Sequence, residues 1–231
     1  MSPDSHRAAV LDFDRAQRIG LHEAVFCSHK TPLQIEHILT EFHRRDTPCL
    51  LTRIDADKVA ALAVDHRESL DFDPLSRTAF APGPFPDIDL SGVAIVSGGT
   101  SDAAVCLEAA RTLQFHGIRT ELFQDVGVTG LWRLMDRIEE IRRYPVVIAV
   151  AGMEGALFSV LGGLVASVVI AVPTSVGYGV SEGGGLALNS ALGSCAPGVL
   201  SVNIDNGYGA ACAALRVLNN LPSLENSPRH P

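Results

Sequence analysis

From Gly92 onward the chain swings five times between a short apolar run and a helix-like segment, and this alternation constrains the fold more than any other feature. Val93-Ala-Ile-Val96, Val146–Val150 and Val168–Val172 are continuously apolar, the pattern of strands buried on both faces. Arg119–Phe123 and Val199–Ile204 complete five predicted strands. Between them Asp102–His116 reads as a helix with Gly117 as its C-terminal cap. Leu131, Leu134, Met135, Ile138 and Ile141 mark the face of another helix, and Gly155–Leu164, Gly185–Leu192 and Ala210–Leu218 supply three more. Short strands joined by helical crossovers predict an α/β fold: a three-layer parallel sheet with helices on both faces.

The first part follows another pattern. Ile35, Ile38, Leu39 and Phe42 repeat at helical spacing within a helix predicted over Thr31–Arg45. Glu23–Cys27 and Pro48–Arg53 read as flanking strands, with a further helix near Asp57–Ala63. Residues 64–90 are polar and then proline-rich (Ala81-Pro-Gly-Pro-Phe-Pro86) and read as a boundary. The expected division is a small N-terminal α/β extension with linker over residues 1–86, a main domain over residues 87–221, and a disordered tail over residues 222–231.

Bulk properties narrow the function classes. At 231 residues the chain has room for one large domain or two small ones. The net charge of -8, with no dense Lys/Arg cluster, argues against a nucleic-acid partner. Five cysteines without a C-x-x-C pair argue against a zinc ribbon, and the absence of a secretory signal points to reduced thiols in the cytoplasm. The longest apolar stretch, Leu157–Val172, is broken by Gly162-Gly163 and reads as helix then strand, so no membrane span is expected.

In such sheets ligands bind at the carboxyl ends of the strands. Five loops rich in Gly, Ser, Thr, Asn and Asp follow the predicted strands there. Ser97-Gly98-Gly99-Thr100-Ser101-Asp102 can bring backbone close to a phosphate at a helix start, or can simply cap that helix. It matches neither G-x-G-x-x-G nor a Walker loop, so those two signatures lend no support to NAD or ATP binding. Asp125-Val-Gly127-Val leads to Trp132-Arg133, where the arginine is a phosphate clamp or a surface residue and the tryptophan is read as packing. Gly152-Met153-Glu154-Gly155 sets a carboxylate between small residues, as a site group or a helix-start charge. Thr174-Ser175-Val-Gly177-Tyr178-Gly179 reads as a loop closing over a ligand, and Asn203-Ile-Asp205-Asn206 follows the last strand. Cys195, between Ser194 and Ala196, reads by itself as a buried structural thiol, as do Cys27, Cys49, Cys106 and Cys212. The histidines lie mostly outside the five loops, and no Ser/His/Asp order suggests a hydrolase triad.

Six ordered motifs together resemble the LarB family: Ser97–Asp102, Asp125–Val128, Ala151-Gly-Met-Glu-Gly-Ala156, Pro173–Gly179, Ser194-Cys-Ala-Pro197 and Val202-Asn-Ile-Asp-Asn-Gly207. Asp12–Gly20, Glu23–Phe26 and Lys30-Thr31 extend the resemblance, which covers roughly residues 11–218. It implies a Rossmann-like, PurE-like catalytic domain over residues 87–221. It also implies a reaction, the first step of nickel-pincer nucleotide cofactor synthesis. Nicotinic acid adenine dinucleotide is carboxylated on its pyridinium ring and cleaved at its phosphoanhydride, giving pyridinium-3,5-biscarboxylic acid mononucleotide and AMP. The resemblance gives Cys195 the role of thiolate nucleophile, because a thiolate adding beside the ring nitrogen makes an enamine that can attack carbon dioxide. Glu154 becomes the base or positioning carboxylate. Ser101 and Asp102 match the family's Ser-Asp pair, with Gly98, Gly99 and Thr100 around the phosphoribosyl group, and Arg133 matches a phosphate-binding arginine. Magnesium on the phosphoanhydride fits the chemistry, without a ligand cluster and without an organic cofactor. A symmetric homo-oligomer is implied, an octamer being one form.

The chain also departs from the family. Trp132-Arg133 stands where His-Arg is usual, Phe158 falls where Ala-Leu-Pro-Ser is usual, Asn189–Gly193 replaces a more aliphatic stretch, and Lys30 follows His29 instead of glycine. Two alternatives accompany the main reading: a PurE-like aminoimidazole ribonucleotide carboxylase or mutase, and a non-catalytic nucleotide-binding paralogue. The first expects a histidine in the loop that here carries Glu154.

Overall fold

The computed structural model of the chain describes residues 9–86 and 90–221, so the expected tail at 222–231 lies outside the described residues. The N-terminal elements are α1 (Arg15–Ile19), β1 (Ala24–Phe26), α2 (Pro32–Arg44), β2 (Cys49–Thr52), α3 (Ala56–Ala60), α4 (Val64–Ser69), β3 (Asp71–Asp73) and β4 (Thr78–Ala81). α2 is the helix its periodicity predicts. The Thr31 hydroxyl accepts from the Gln34 amide at 3.3 Å, the Thr31 amide donates to the Gln34 side chain at 2.9 Å, and Pro32 occupies the first turn. Ile35, Ile38, Leu39 and Phe42 are buried with Val25, Cys49, Leu51 and Ala79 in one cluster.

The sheet order is β1-β2-β4-β3, parallel between β1 and β2 and antiparallel elsewhere. The stretch read as a boundary therefore contributes a helix and two strands before Pro82. All four β4 residues are buried. Thr-Ala-Phe-Ala carries little strand signal of its own; its state comes from pairing with β2, where Leu50 faces Phe80.

The second part contains β5 (Leu90–Ser97), α5 (Ala103–Phe115), β6 (Ile118–Phe123), α6 (Leu131–Met135), α7 (Ile138–Ile141), β7 (Val146–Ala151), α8 (Ala156–Leu164), β8 (Val168–Pro173), α9 (Gly185–Leu192), β9 (Leu200–Ser201) and α10 (Gly207–Leu218). Its five strands run in the order β6-β5-β7-β8-β9, all parallel. The predicted three-layer α/β architecture is present, and the continuous apolar runs have their reason. Ala94, Val96, Val147, Ala149, Val169 and Ala171 pack on one face beneath α6 to α9. Val93, Ile95, Val146, Ile148, Ile170 and Val172 pack on the other beneath α5 and α10.

Two elements differ from expectation. The single helix predicted across 131–141 is two short ones, because the chain tightens into i,i+3 bonds at Arg137 (Arg137 N to Leu134 O, 3.1 Å; Glu140 N to Arg137 O, 3.1 Å). Leu134, Ile138 and Ile141 reach the core, whereas Leu131 and Met135 are exposed. The fifth strand is two residues long, since this edge pairs only through Ile170–Leu200 and Ala171–Ser201 before the chain turns across the end of β8.

The two parts meet on α5. Phe80 and Phe115 pack with tilted rings, centroids 5.6 Å apart, in a cluster with Leu50, and Arg111 donates to the Thr78 hydroxyl at 2.7 Å with its guanidinium 4.2 Å above the Phe80 ring. Among the described residues no helix is long and apolar enough to cross a membrane.

Candidate active site

The chain crosses from β5 to β6 on one side and returns to β7 on the other. Where strand order reverses like this, the loops at the carboxyl ends diverge and leave a crevice. A cleft of about 340 Å³ lies there, lined by Gly98, Gly99, Ser101 and Asp102 after β5, Gly127–Thr129 after β6, and Gly152–Leu157 after β7, with Val176 from the β8 loop. A cavity of about 390 Å³ exists in the N-terminal part beside Phe42, His43, Asp65 and His66. It is larger, but none of the five loops reaches it, so the smaller cleft is the candidate site.

The cleft walls are fixed by bonds between neighbouring loops. Gly98 N donates to Val150 O (2.9 Å), Val126 N to Ser97 O (3.0 Å), Thr174 N to Ala151 O (2.9 Å) and Met153 N to Val176 O (2.7 Å). Two glycines permit this closeness: a Cβ on Gly127 would sit 2.5 Å from Gly98 O, and one on Gly152 would sit 2.1 Å from Val176 O. Asp125, Met153 and Asp205 hold left-handed backbone at φ 57°, 51° and 54°. Such conformations cost free energy for non-glycine residues and gather at functional sites.

Asp102 is the buried charge of the site, 4% exposed. Its Oδ1 accepts from the Thr174 hydroxyl at 2.7 Å and its Oδ2 from the Gly99 amide at 3.1 Å. Burial pushes its carboxyl above the ordinary range; those two bonds partly offset this, and the Asp205 charge adds to it. The loop is thus less open to an anion than its glycines suggest. The Gly98 and Gly99 amides are already engaged, and the 3-10 turn Thr100–Asp102 precedes α5.

The other predicted residues divide by place. Met153 and Glu154 stand exposed in the cleft lining, and Gly155, at φ 63°, is the N-cap just before α8. Thr100 is exposed on the 3-10 turn. Asp125 and Arg133 pair with each other at 2.6 Å outside the cleft lining. Ser175 and Asp205 are joined, Ser175 N to Asp205 Oδ1 at 2.8 Å, and line a separate depression. Gly177 and Gly179 carry the chain past Tyr178, which is largely exposed. Asn203 Oδ1 accepts the Ile204 amide and Asn206 Oδ1 accepts the Gly209 amide at the start of α10, so both have local structural partners. Trp132, expected to pack, is 67% exposed.

Burial separates the thiols. Cys27, Cys49 and Cys106 are buried. Burial pushes Cys27 and Cys106 to about 12, lifts Cys49 well above its ordinary value, and raises half-buried Cys212. Cys195 is exposed, contrary to the core expectation. It lies between α9 and β9, next to the Ser194–Ser159 hydroxyl pair (2.7 Å) against the flank of α8. The cleft lining does not include it.

Val128, Thr129, Ala156, Leu157 and Val176 also line the cleft and carry no chemistry that would single them out in sequence. Arg53, Arg77 and Glu108 are charged residues beside the cleft that carried no functional expectation from sequence. Arg53 Nη2 donates to the Asp205 carbonyl, and its Nε lies 3.8 Å from Glu108, a carboxylate 6% exposed on α5. A signal for Arg53 existed in its place directly after an apolar strand.

Residues 4–82 match the family model described as "LarB/PurE-like N-terminal domain", and residues 92–226 match that described as "AIR carboxylase". An uncharacterized protein of Methanocaldococcus jannaschii is 32% identical over 212 residues, covering 88% of this chain and 81% of that one. A crystal structure of a Treponema denticola PurE2 variant aligns with TM-score 0.43 and 18% identity, over 57% of this chain and 90% of that chain.

Proposed function

This chain belongs to the LarB family, with a second half of the AIR carboxylase type, and from that premise we propose that it carboxylates the pyridinium ring of nicotinic acid adenine dinucleotide and releases AMP. The observation that carries the reading is the cleft between β5 and β7. Ser101, Asp102 and Glu154 line it together, between the glycine-containing loops that follow β5, β6 and β7.

The steps follow from the chemistry of an electron-poor ring. The Cys195 thiolate adds to the carbon beside the ring nitrogen, forming a C–S bond and a neutral dihydropyridine. The enamine carbon next to the adduct attacks carbon dioxide, forming the C–C bond and returning positive charge to the nitrogen. Glu154 removes the proton from that carbon as the C–S electrons leave with sulfur, which restores the aromatic ring and the thiolate. Water then cleaves the phosphoanhydride to the mononucleotide and AMP. Asp102, held by Thr174 and Gly99, keeps the Ser101 end of the loop in place. Because Cys195 stands outside the cleft, turnover requires the 193–198 segment to swing in or a neighbouring copy to supply the thiol; a homo-oligomer belongs to the proposal. Among the described residues no three His, Cys, Asp or Glu side chains converge on a metal position; in this proposal magnesium arrives on the substrate's diphosphate.

Incubation with the dinucleotide and bicarbonate should release AMP and a mononucleotide heavier by one carboxylate, and Cys195→Ala should yield neither. A folded protein that gives no product refutes the reading. The AIR carboxylase match favours a second reading, aminoimidazole ribonucleotide as substrate, and assaying both compounds side by side separates the two.

A further inference from the structure

Beside the cleft lies a second depression of about 240 Å³, and Ser101 and Val176 line both. Its far wall comes from the N-terminal part: Arg53 after β2 and Arg77 before β4, both with left-handed backbone and tied together through Ile54 N to Arg77 O at 2.9 Å. Its near wall comes from Ala104 and Glu108 of α5 and from the Ser175–Asp205 pair. The two parts of the chain thus build it jointly, at the edge of the site.

We propose that this depression binds the second nucleoside of a dinucleotide whose first half occupies the cleft, with the diphosphate passing over Ser101. The inference rests on the dinucleotide reading above and adds the subsite. Three observations carry it. A cleft of about 340 Å³ is at the small end of the roughly 300–1,000 Å³ of small-molecule sites, so half of a dinucleotide fills it and the rest must leave across its rim. The depression starts at that rim. Its charges are internally matched: Arg53 with Glu108 at 3.8 Å, Arg77 with Asp55 at 2.7 Å, and the Asp205 carboxylate with the Ser175 amide. A surface that is polar without excess positive charge suits hydroxyls and the edge of a base better than a bare phosphate. Arg77 remains 45% exposed, so the face of its guanidinium and its remaining N–H groups are free to stack on a base and donate to it.

The test is calorimetric binding to the full chain of four probes: the dinucleotide, nicotinic acid mononucleotide, AMP and inorganic phosphate. The wild type should bind the dinucleotide more tightly than the mononucleotide. Arg77→Gln, and independently Ala104→Leu, which fills the depression from α5, should weaken dinucleotide and AMP by about tenfold and leave the mononucleotide unchanged. Far-UV circular dichroism checks that both variants are folded. Equal weakening of dinucleotide and mononucleotide, or unchanged dinucleotide affinity in both folded variants, overturns the subsite. Arg77-dependent binding of inorganic phosphate as tight as that of AMP also overturns it, in favour of a phosphate site. If neither pyridinium nucleotide binds, the functional reading fails, and AMP alone decides the subsite: binding that both variants weaken supports it, and no binding overturns it.

Discussion

Thr174→Val isolates the bond that holds the buried carboxylate of the site. Valine keeps the volume and removes only the hydroxyl that donates to Asp102 Oδ1 at 2.7 Å. Asp102 is 4% exposed, so water cannot replace the lost donor without opening the loop. A hydrogen bond to a charged group contributes about 1.5–3 kcal/mol, which sets the expected destabilisation near 2 kcal/mol above neutral pH. For a chain of this size that is a fall in Tm of about 4–8 °C. The loss must also depend on pH. Burial already raises the Asp102 carboxyl, so the stability it contributes is fully present below the unfolded value and is lost as pH rises through the folded value. Removing Thr174 takes away a bond that lowers that value, so the variant's folded value rises further. The gap between variant and wild type therefore opens as pH climbs from the wild-type folded value through the variant's, by about 1.4 kcal/mol per unit of difference. Urea unfolding from about pH 4 to about pH 8 reads the stability deficit and its pH dependence, and thermal unfolding at the upper end reads the change in Tm. A deficit that is the same across the series, or a Tm change below about 1 °C at its upper end, refutes the argument.

Gly152→Ala should cost about 2–3 kcal/mol in urea unfolding, because its Cβ would lie 2.1 Å from Val176 O and would break the Met153–Val176 bond that joins two site loops. A thiol reagent should modify Cys195 first in the native protein, half-buried Cys212 more slowly, and Cys27, Cys49 and Cys106 only in denaturant; more than two equivalents without denaturant, or Cys212 reacting before Cys195, would contradict the burial pattern. Glu108 is raised by burial, with Arg53 working against this, so it too contributes stability that falls as pH rises through its folded value. Glu108→Gln should flatten that part of the stability profile, and a profile unchanged in slope would show that Glu108 does not titrate there.

Much of the sheet was legible because its strands are buried on both faces. Val146–Val150 and Val168–Val172 have no polar face, and their short length and richness in valine and isoleucine favour a strand over a buried helix. α2 was legible for the complementary reason, an apolar stripe beginning at a capping box. β4 was not, since Thr78 and the two alanines become strand only against β2. The division of 131–141 into two helices was not either, because Leu131 and Met135 continue the periodicity without joining the core.

The candidate site divides in the same way. The loops Gly98–Asp102 and Gly152–Gly155 could be assigned to one edge from sequence, since the carboxyl ends of parallel strands share a side. That Asp102 is buried and held by Thr174, and that Arg133 pairs with Asp125, depends on distances between loops far apart in the chain.

What the sequence determined by itself is the α/β alternation, the sheet with its helices on both faces, and the set of residue types delivered to its carboxyl edge, because these follow from local periodicity and from the two-sided burial of short apolar runs. Only the tertiary structure decided which of those residues face a common cleft, that Cys195 stands on the surface outside it, and that Arg53 and Arg77 close a second depression beside it. Those outcomes depend on strand order and on the docking of the N-terminal part against α5, contacts for which no local pattern carries a signal.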